Sequence, residues 1–180
     1  MKYSKEKLQK KYKEEDCCFF WSHRPSKDNV VTETCLSQWW KCSFTENNIQ
    51  FCCAEQYMMY KKAILFKDYE CARKILQCND PRKIKSYGRI VANFDEKIWD
   101  AQKYQTVLEG NILKFSQNET LYHFLMQTGN KILVEASPYD KIWGIGMGKE
   151  AAERLEPTKW NGENLLGFAL METRDRIVRR

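Results

Sequence analysis

Glu55 and Lys62 are the first pair whose types and spacing suit chemistry. They lie seven positions apart in the run Ala54-Glu55-Gln56-Tyr57-Met58-Met59-Tyr60-Lys61-Lys62. That run has no Gly or Pro and is rich in helix formers, which predicts a helix from Ala54 onward. Seven residues make nearly two turns at about 3.6 residues per turn, so both side chains share one face, roughly 10.5 Å apart along the axis. The apolar residues Phe51, Cys52, Cys53 and Ala54 just before Glu55 place the helix start in the core. The helix dipole there favours the carboxylate anion, and burial opposes it. Spacing alone also suits a Glu55 that merely caps the helix and a solvated Lys62.

The second constellation is Ser137-Pro138-Tyr139-Asp140-Lys141-Ile142-Trp143-Gly144-Ile145-Gly146. A strand ends at a proline turn, and an aspartate and Trp-Gly-x-Gly follow. Such glycines let the backbone N–H groups of Gly144, Ile145 and Gly146 face an anion, and Trp143 can stack on a base or sugar. A tight turn with an Asp-capped bend and a core tryptophan fits the same run. Five of the eight glycines fall between Gly144 and Gly167 and none precedes Gly88. Glycine permits close backbone approach to a ligand, which directs attention to the last third of the chain. The loop is no P-loop, because Lys149 is followed by Glu150, and it lacks the dinucleotide spacing, because Lys149 stands where a third Gly belongs. Trp99, on a helix after Asp95, is either core or site. Arg89 after Gly88 is either a surface residue or a bidentate phosphate clamp. No G-x-S-x-G elbow and no H-E-x-x-H helix occur, and His123 between Tyr122 and Phe124 reads as a packing residue.

These residues need elements to hold them. Residues 1–15 form a basic lead-in, helical or frayed. Residues 17–21 predict a strand, 22–29 a loop with Pro25, and 35–44 a turn and then a strand. Asn47-Asn48 is a turn signal before a return strand over 49–51. Asp68 caps a helix ending near Cys78. Pro81 starts another that closes at Gly88, and Asp95 caps a longer one in which Gly110-Asn111 is either a break or an interior pair. Asn118 begins a helix ended by Gly129, residues 131–136 are a strand, and Asn164 caps a last helix through Arg174 to Val178. The fold class is α+β, a mostly helical single domain with a few short β-strands, over residues 16–180.

Composition narrows the partners. The chain of 180 residues carries a net charge of +6. Lys2, Lys5, Lys7, Lys10, Lys11 and Lys13 crowd one end, and Arg174, Arg176, Arg179 and Arg180 the other. That excess suits phosphate partners or a solubilising surface, and a pI near 8.8 falls short of a dedicated nucleic-acid binder. Eight cysteines without any C-x-x-C, and two histidines a hundred residues apart, argue against a metal site. No apolar run follows Met1, so the reading is an intracellular chain, cytoplasmic or nuclear, with reduced thiols. No stretch approaches the ~20 apolar residues of a membrane span.

Taken in order, several blocks resemble the NADAR family, the YbiA-like proteins. They are Ala54-Glu55-Gln56-Tyr57 with Lys62, Gly88-Arg89, Trp99, the run from Ser137 to Gly146, Trp160-Asn161-Gly162-Glu163-Asn164-Leu165-Leu166-Gly167, and Leu170-Met171-Glu172-Thr173-Arg174. Phe19-Phe20-Trp21 and Leu36-Ser37-Gln38-Trp39 resemble the family's opening strand and its Ser-Asn-Phe-type segment, with Gln38 in place of the Asn. The resemblance covers residues 17–178. It implies N-glycosidic chemistry without cofactor or metal. The implied substrate is ADP-ribose on guanine in nucleic acid or nucleotide, released as ADP-ribose. The alternatives are a phosphorylated riboflavin-biosynthesis intermediate cleaved at its C–N bond and a non-catalytic ADP-ribose or nucleotide reader. The family's catalytic carboxylate falls on Glu55, its lysine on Lys62, its tryptophan on Trp99 and its aspartate on Asp140. Arg89, Trp21, Ser37, Trp143, Gly144, Ile145 and Gly146 are the expected substrate contacts. The lysine is expected to form a Schiff base or to act as a cation.

Overall fold

The structure is a computed structural model that describes residues 1–9, 16–24, 30–153 and 155–178. Lys10, Lys11, Lys13, Pro25, Arg179 and Arg180, with most of the expected 22–29 loop, lie outside the described residues. The elements are α1 (Lys5–Gln9), β1 (Cys17–Phe20), a 3₁₀ turn (Glu33–Leu36), β2 (Phe44–Glu46), β3 (Ile49–Phe51), α2 (Ala54–Leu65), α3 (Tyr69–Leu76), α4 (Pro81–Arg89), α5 (Glu96–Ser116), α6 (Glu119–Gln127), β4 (Ile132–Glu135), α7 (Lys149–Ala152), a 3₁₀ turn (Pro157–Lys159) and α8 (Leu165–Arg176). This is the expected mostly helical α+β composition. The residues gather into two compact units, one of Gln38–Asn118 and one of Met1–Ser37 with Glu119–Arg180.

In the Gln38–Asn118 unit, β2 and β3 form an antiparallel hairpin that pairs Phe44 with Phe51. Asn47 and Asn48 both take positive φ, 49° and 64°, as a tight hairpin turn of matching twist requires. Of the turn and strand expected over 35–44, the turn is the 3₁₀ turn Glu33–Leu36 and the strand begins only at Phe44. Phe44 and Phe51 stack at 5.7 Å, and Tyr57 of α2 meets Phe51 edge-on at 5.1 Å. A Cβ at Gly110 would come 2.7 Å from the Tyr57 ring, so Gly110 is interior to α5 and lets that helix cross the tyrosine.

The start of α2 is fixed by side chains from elsewhere. Cys53 is its extended N-cap and supplies no side-chain bond. The Glu55 N–H donates to the Gln38 carbonyl at 2.9 Å, and the Cys52 N–H to Gln56 Oε1 at 2.7 Å. Gln56 Nε2 donates to the carbonyls of Ile75, Leu76 and Cys78 at 2.9, 3.3 and 2.8 Å. One buried carboxamide thus joins the start of α2 to the last turn of α3, where carbonyls have no helical partner. Asp68, Asp80 and Asp95 cap α3, α4 and α5 by accepting from Cys71, Arg82 and Ile98. The α4 helix does not close at Gly88 but runs through it to Arg89. A Cβ at Gly88 would overlap the Met59 sulfur, so this glycine serves close helix packing rather than a turn.

In the other unit β1 and β4 pair in parallel, Cys17 with Ile132 through Phe20 with Glu135. Asn164 does not cap α8 with its side chain. It sits at φ 57°, its Oδ1 accepts from the Glu135 N–H at 3.0 Å and its Nδ2 donates to the Leu133 carbonyl at 3.0 Å. The side chain therefore bonds β4 as a neighbouring strand would. Gly167 lets α8 close on the same place, since a Cβ there would collide with the Leu133 carbonyl. Buried Arg174 donates to Thr128 Oγ1 at 2.7 Å and to the Lys131 carbonyl at 3.0 Å. The N-terminal residues are held at α8: Lys2 and Tyr3 both bond Asp175, at 2.6 and 2.7 Å. All eight cysteines are free thiols. Among the described residues no helix is long and apolar enough to cross a membrane.

Replacing Gln56 with Leu leaves the Cys52 N–H and three carbonyls without their partner in the interior. The expected cost is about 2–4 kcal/mol, read as a lowered urea midpoint with an unchanged slope.

Candidate active site

Burial and α2 give Lys62 an unusual setting for an amine. Its Nζ donates to the Gly88 carbonyl at 2.8 Å. The Phe94 ring lies 4.0 Å from Nζ and the Trp99 ring 5.7 Å. Among the described residues no carboxylate pairs with it; the ion pairs of this unit are Lys61–Glu46, Lys74–Glu70 and Lys103–Asp100. Burial, which disfavours the charged form, holds the Lys62 amine below its ordinary value of 10.5, and the nearby Cys71 thiol opposes this weakly. The result is a primary amine held by one carbonyl and two aromatic faces.

Glu55 stands two turns back on the same helix and is only 3% exposed. Its face is continued by Met58 and Met59, both buried. The helix position predicted from spacing is therefore correct, and the helix start is in the core. Trp99 is half-buried and faces Lys62. Arg89 ends α4 and is exposed, with no ion pair among the described residues.

The remaining expected residues belong to the other unit and gather at the ends of its parallel strands. Trp21 follows β1, and residues 136–140 follow β4. Trp21 and Tyr139, 54% and 88% exposed, meet at 6.5 Å between ring centroids. Asp140 Oδ1 accepts from the N–H groups of Ile142 and Trp143 at 2.9 and 2.8 Å, which turns the chain sharply and leaves Oδ2 outside those bonds. Ser37 is half-buried at the end of the first 3₁₀ turn. Trp143 is half-buried.

The glycines of this loop answer to the chain itself. The Ile145 N–H donates to the Glu135 carbonyl at 2.9 Å and the Gly146 N–H to the Asp140 carbonyl at 3.0 Å, so these two amides close the loop. A Cβ at Gly144 would sit 2.9 Å from the Glu135 oxygen, and one at Gly162 would collide with the Gly144 oxygen. Residues 141–144 also accept backbone bonds from residues 163–166. His123 is not a packing residue: it is exposed, 3.6 Å from Glu119.

Phe94, Tyr139 and the Gly88 carbonyl are absent from the sequence reading. Phe94 had a signal. It precedes the Asp95 cap, and Trp99 occupies the fourth helical position, the two places an N-terminal hydrophobic staple uses. Among the described residues no three His, Cys, Asp or Glu side chains converge as metal ligands.

Gly88→Ala should displace α4 from Met59 and carry the Gly88 carbonyl away from Lys62. The expected loss is about 1–3 kcal/mol of stability, measured by thermal melting.

Residues 19–178 match the NADAR domain. An N-glycosidase of Acanthamoeba polyphaga mimivirus is 50% identical over 145 residues, covering 78% of this chain and 85% of that protein. An N-glycosidase of Nostoc punctiforme is 30% identical over 123 residues, covering 68% of this chain and 72% of that protein. The NMR structure of Escherichia coli YbiA superposes with a TM-score of 0.70 at 24% identity, over 89% of this chain and 84% of that one, a likeness of fold. With a family match across nearly the whole sequence and a relative at half identity, this chain belongs to the NADAR domain family.

Proposed function

We propose that this N-glycosidase, a hydrolase of N-glycosyl bonds, cleaves the ribosyl C–N bond of ADP-ribosylated guanine and releases ADP-ribose. The observation that carries the reading is the desolvated Lys62 amine without a carboxylate partner, two turns from buried Glu55. A half-buried amine without a salt bridge suits a nucleophile better than a structural cation. The net charge of +6 favours a nucleic-acid or nucleotide substrate through its phosphates.

The steps follow from the residue types. The Lys62 nitrogen bonds the anomeric carbon as the bond from that carbon to the guanine nitrogen breaks. The base leaves with the electron pair and takes a proton. The sugar ring opens to a protonated imine on Lys62, and water then adds and expels the amine, returning free lysine and ADP-ribose. Positive charge builds on the sugar as the base departs, and a carboxylate beside it lowers that barrier. Glu55, on the helix that carries Lys62, fills this role, and the last step needs a base for the water. The resemblance assigns a further catalytic carboxylate to Asp140, whose Oδ2 lies outside the two amide bonds that Oδ1 accepts. Trp99 walls the amine, and Arg89 takes the pyrophosphate.

The amine reacts only when neutral. Its acidity, raised by burial, gives a larger neutral fraction at neutral pH than an ordinary lysine has. Activity should rise with pH until the Lys62 proton is lost, at a value below 10.5, and then level off. A kcat/KM profile flat across neutral and alkaline pH would contradict this.

The function is tested by incubation with ADP-ribosyl-guanosine and, separately, with the phosphorylated riboflavin-biosynthesis intermediate. Free ADP-ribose and guanosine from the first are expected. Turnover of the second alone would move the substrate to that intermediate, and binding of ADP-ribose without turnover of either would make the protein a reader. Glu55→Gln and Asp140→Asn should each lose roughly 100-fold or more in turnover while circular dichroism is unchanged; wild-type turnover in either removes that residue from the reaction.

A further inference from the structure

We propose that Phe94 is a positioning residue for Lys62: its ring keeps water from the amine and so holds the amine in reactive form near neutral pH. The inference rests on the reading of Lys62 as the nucleophile, and it assigns a role to a side chain outside the motif blocks. Phe94 is 45% exposed, so its ring lies between the amine and solvent. It covers Nζ at 4.0 Å, and Phe66, only 7% exposed, braces it edge-on at 5.3 Å.

The groups facing Lys62 leave this ring as the adjustable one. From α4 comes the Gly88 carbonyl, and Arg89 beyond it is exposed. From α3 comes the buried Cys71 thiol, which donates to the Tyr87 carbonyl at 3.4 Å. Asp68 ahead of α3 uses its two oxygens on the Cys71 and Ala92 amides. On α5, Asp95 caps the Ile98 amide and Asp100 pairs with Lys103. None of these carboxylates pairs with the amine. The ring itself acts in two opposed ways. Its π face attracts the ammonium, and its bulk removes water from it. Burial holds the amine below the ordinary lysine value, and the two variants below separate the two effects.

That opposition supplies a two-sided test that needs no substrate. The pH dependence of reductive methylation with formaldehyde and cyanoborohydride, read at Lys62 by peptide mass spectrometry, gives the midpoint of its titration. In the wild type the Lys62 midpoint should lie below 10.5. Phe94→Ala admits water and should raise it by about one pH unit, a tenfold loss of free amine at neutral pH. Phe94→Leu keeps the bulk and removes the π face, so the midpoint should stay low or fall further. An unchanged midpoint in Phe94→Ala overturns the proposal, as does an equal rise in both variants. If the midpoints behave as stated but the lysine takes no part in substrate cleavage, the nucleophile reading fails and the role of Phe94 in setting the amine stands.

Discussion

The Gln56 carboxamide, buried at the first turn of α2, holds that helix in register. It accepts from the Cys52 amide ahead of the helix and donates to the carbonyls that end α3. The Gln38 carbonyl takes the neighbouring Glu55 amide. These bonds do for α2 what a capping side chain does for other helices, since Cys53 supplies none. A slip of one residue in this start would turn every later side chain by about 100° around the axis. Lys62 would then leave the Gly88 carbonyl and the Phe94 and Trp99 rings. The reactivity proposed for one amine thus depends on a hydrogen-bonded amide two turns away.

Helix packing completes that setting. Gly88 and Met59 allow α4 to lie close enough to α2 for a backbone oxygen to reach Nζ. A carbonyl is a modest partner for an ammonium. It orients the amine without the Coulombic hold of a carboxylate, which would favour the protonated form. The Phe94 and Trp99 rings lie over the amine. Orientation with little charge compensation is the combination a nucleophilic lysine requires.

Features that act over a few residues were legible in the sequence. The Asp68 and Asp95 caps, the Pro81 start, the Asn47-Asn48 hairpin and the shared face of Glu55 and Lys62 follow from local rules. Features that depend on distant neighbours were not. Gly88 has the look of a helix stop and is a helix–helix contact. Asn164 has the look of a cap and is a surrogate strand for β4. The late glycines suggested a cradle for a ligand, yet at Gly144, Gly162 and Gly167 the nearest atoms belong to the chain itself. An Asp-capped bend was one of the two readings of the Asp140 loop, and the amide bonds from Ile142 and Trp143 are that bend. Phe94 was passed over because an exposed aromatic before a cap says nothing by itself about a lysine more than thirty residues earlier.

The central claim is that Lys62 becomes covalently attached to the sugar during turnover. Reduction with borohydride during reaction with ADP-ribosyl-guanosine converts an imine to a stable secondary amine, and digestion with mass spectrometry locates it. The account predicts an ADP-ribose adduct on the Lys62 peptide, absent without substrate. Full turnover with no adduct on that peptide would contradict it.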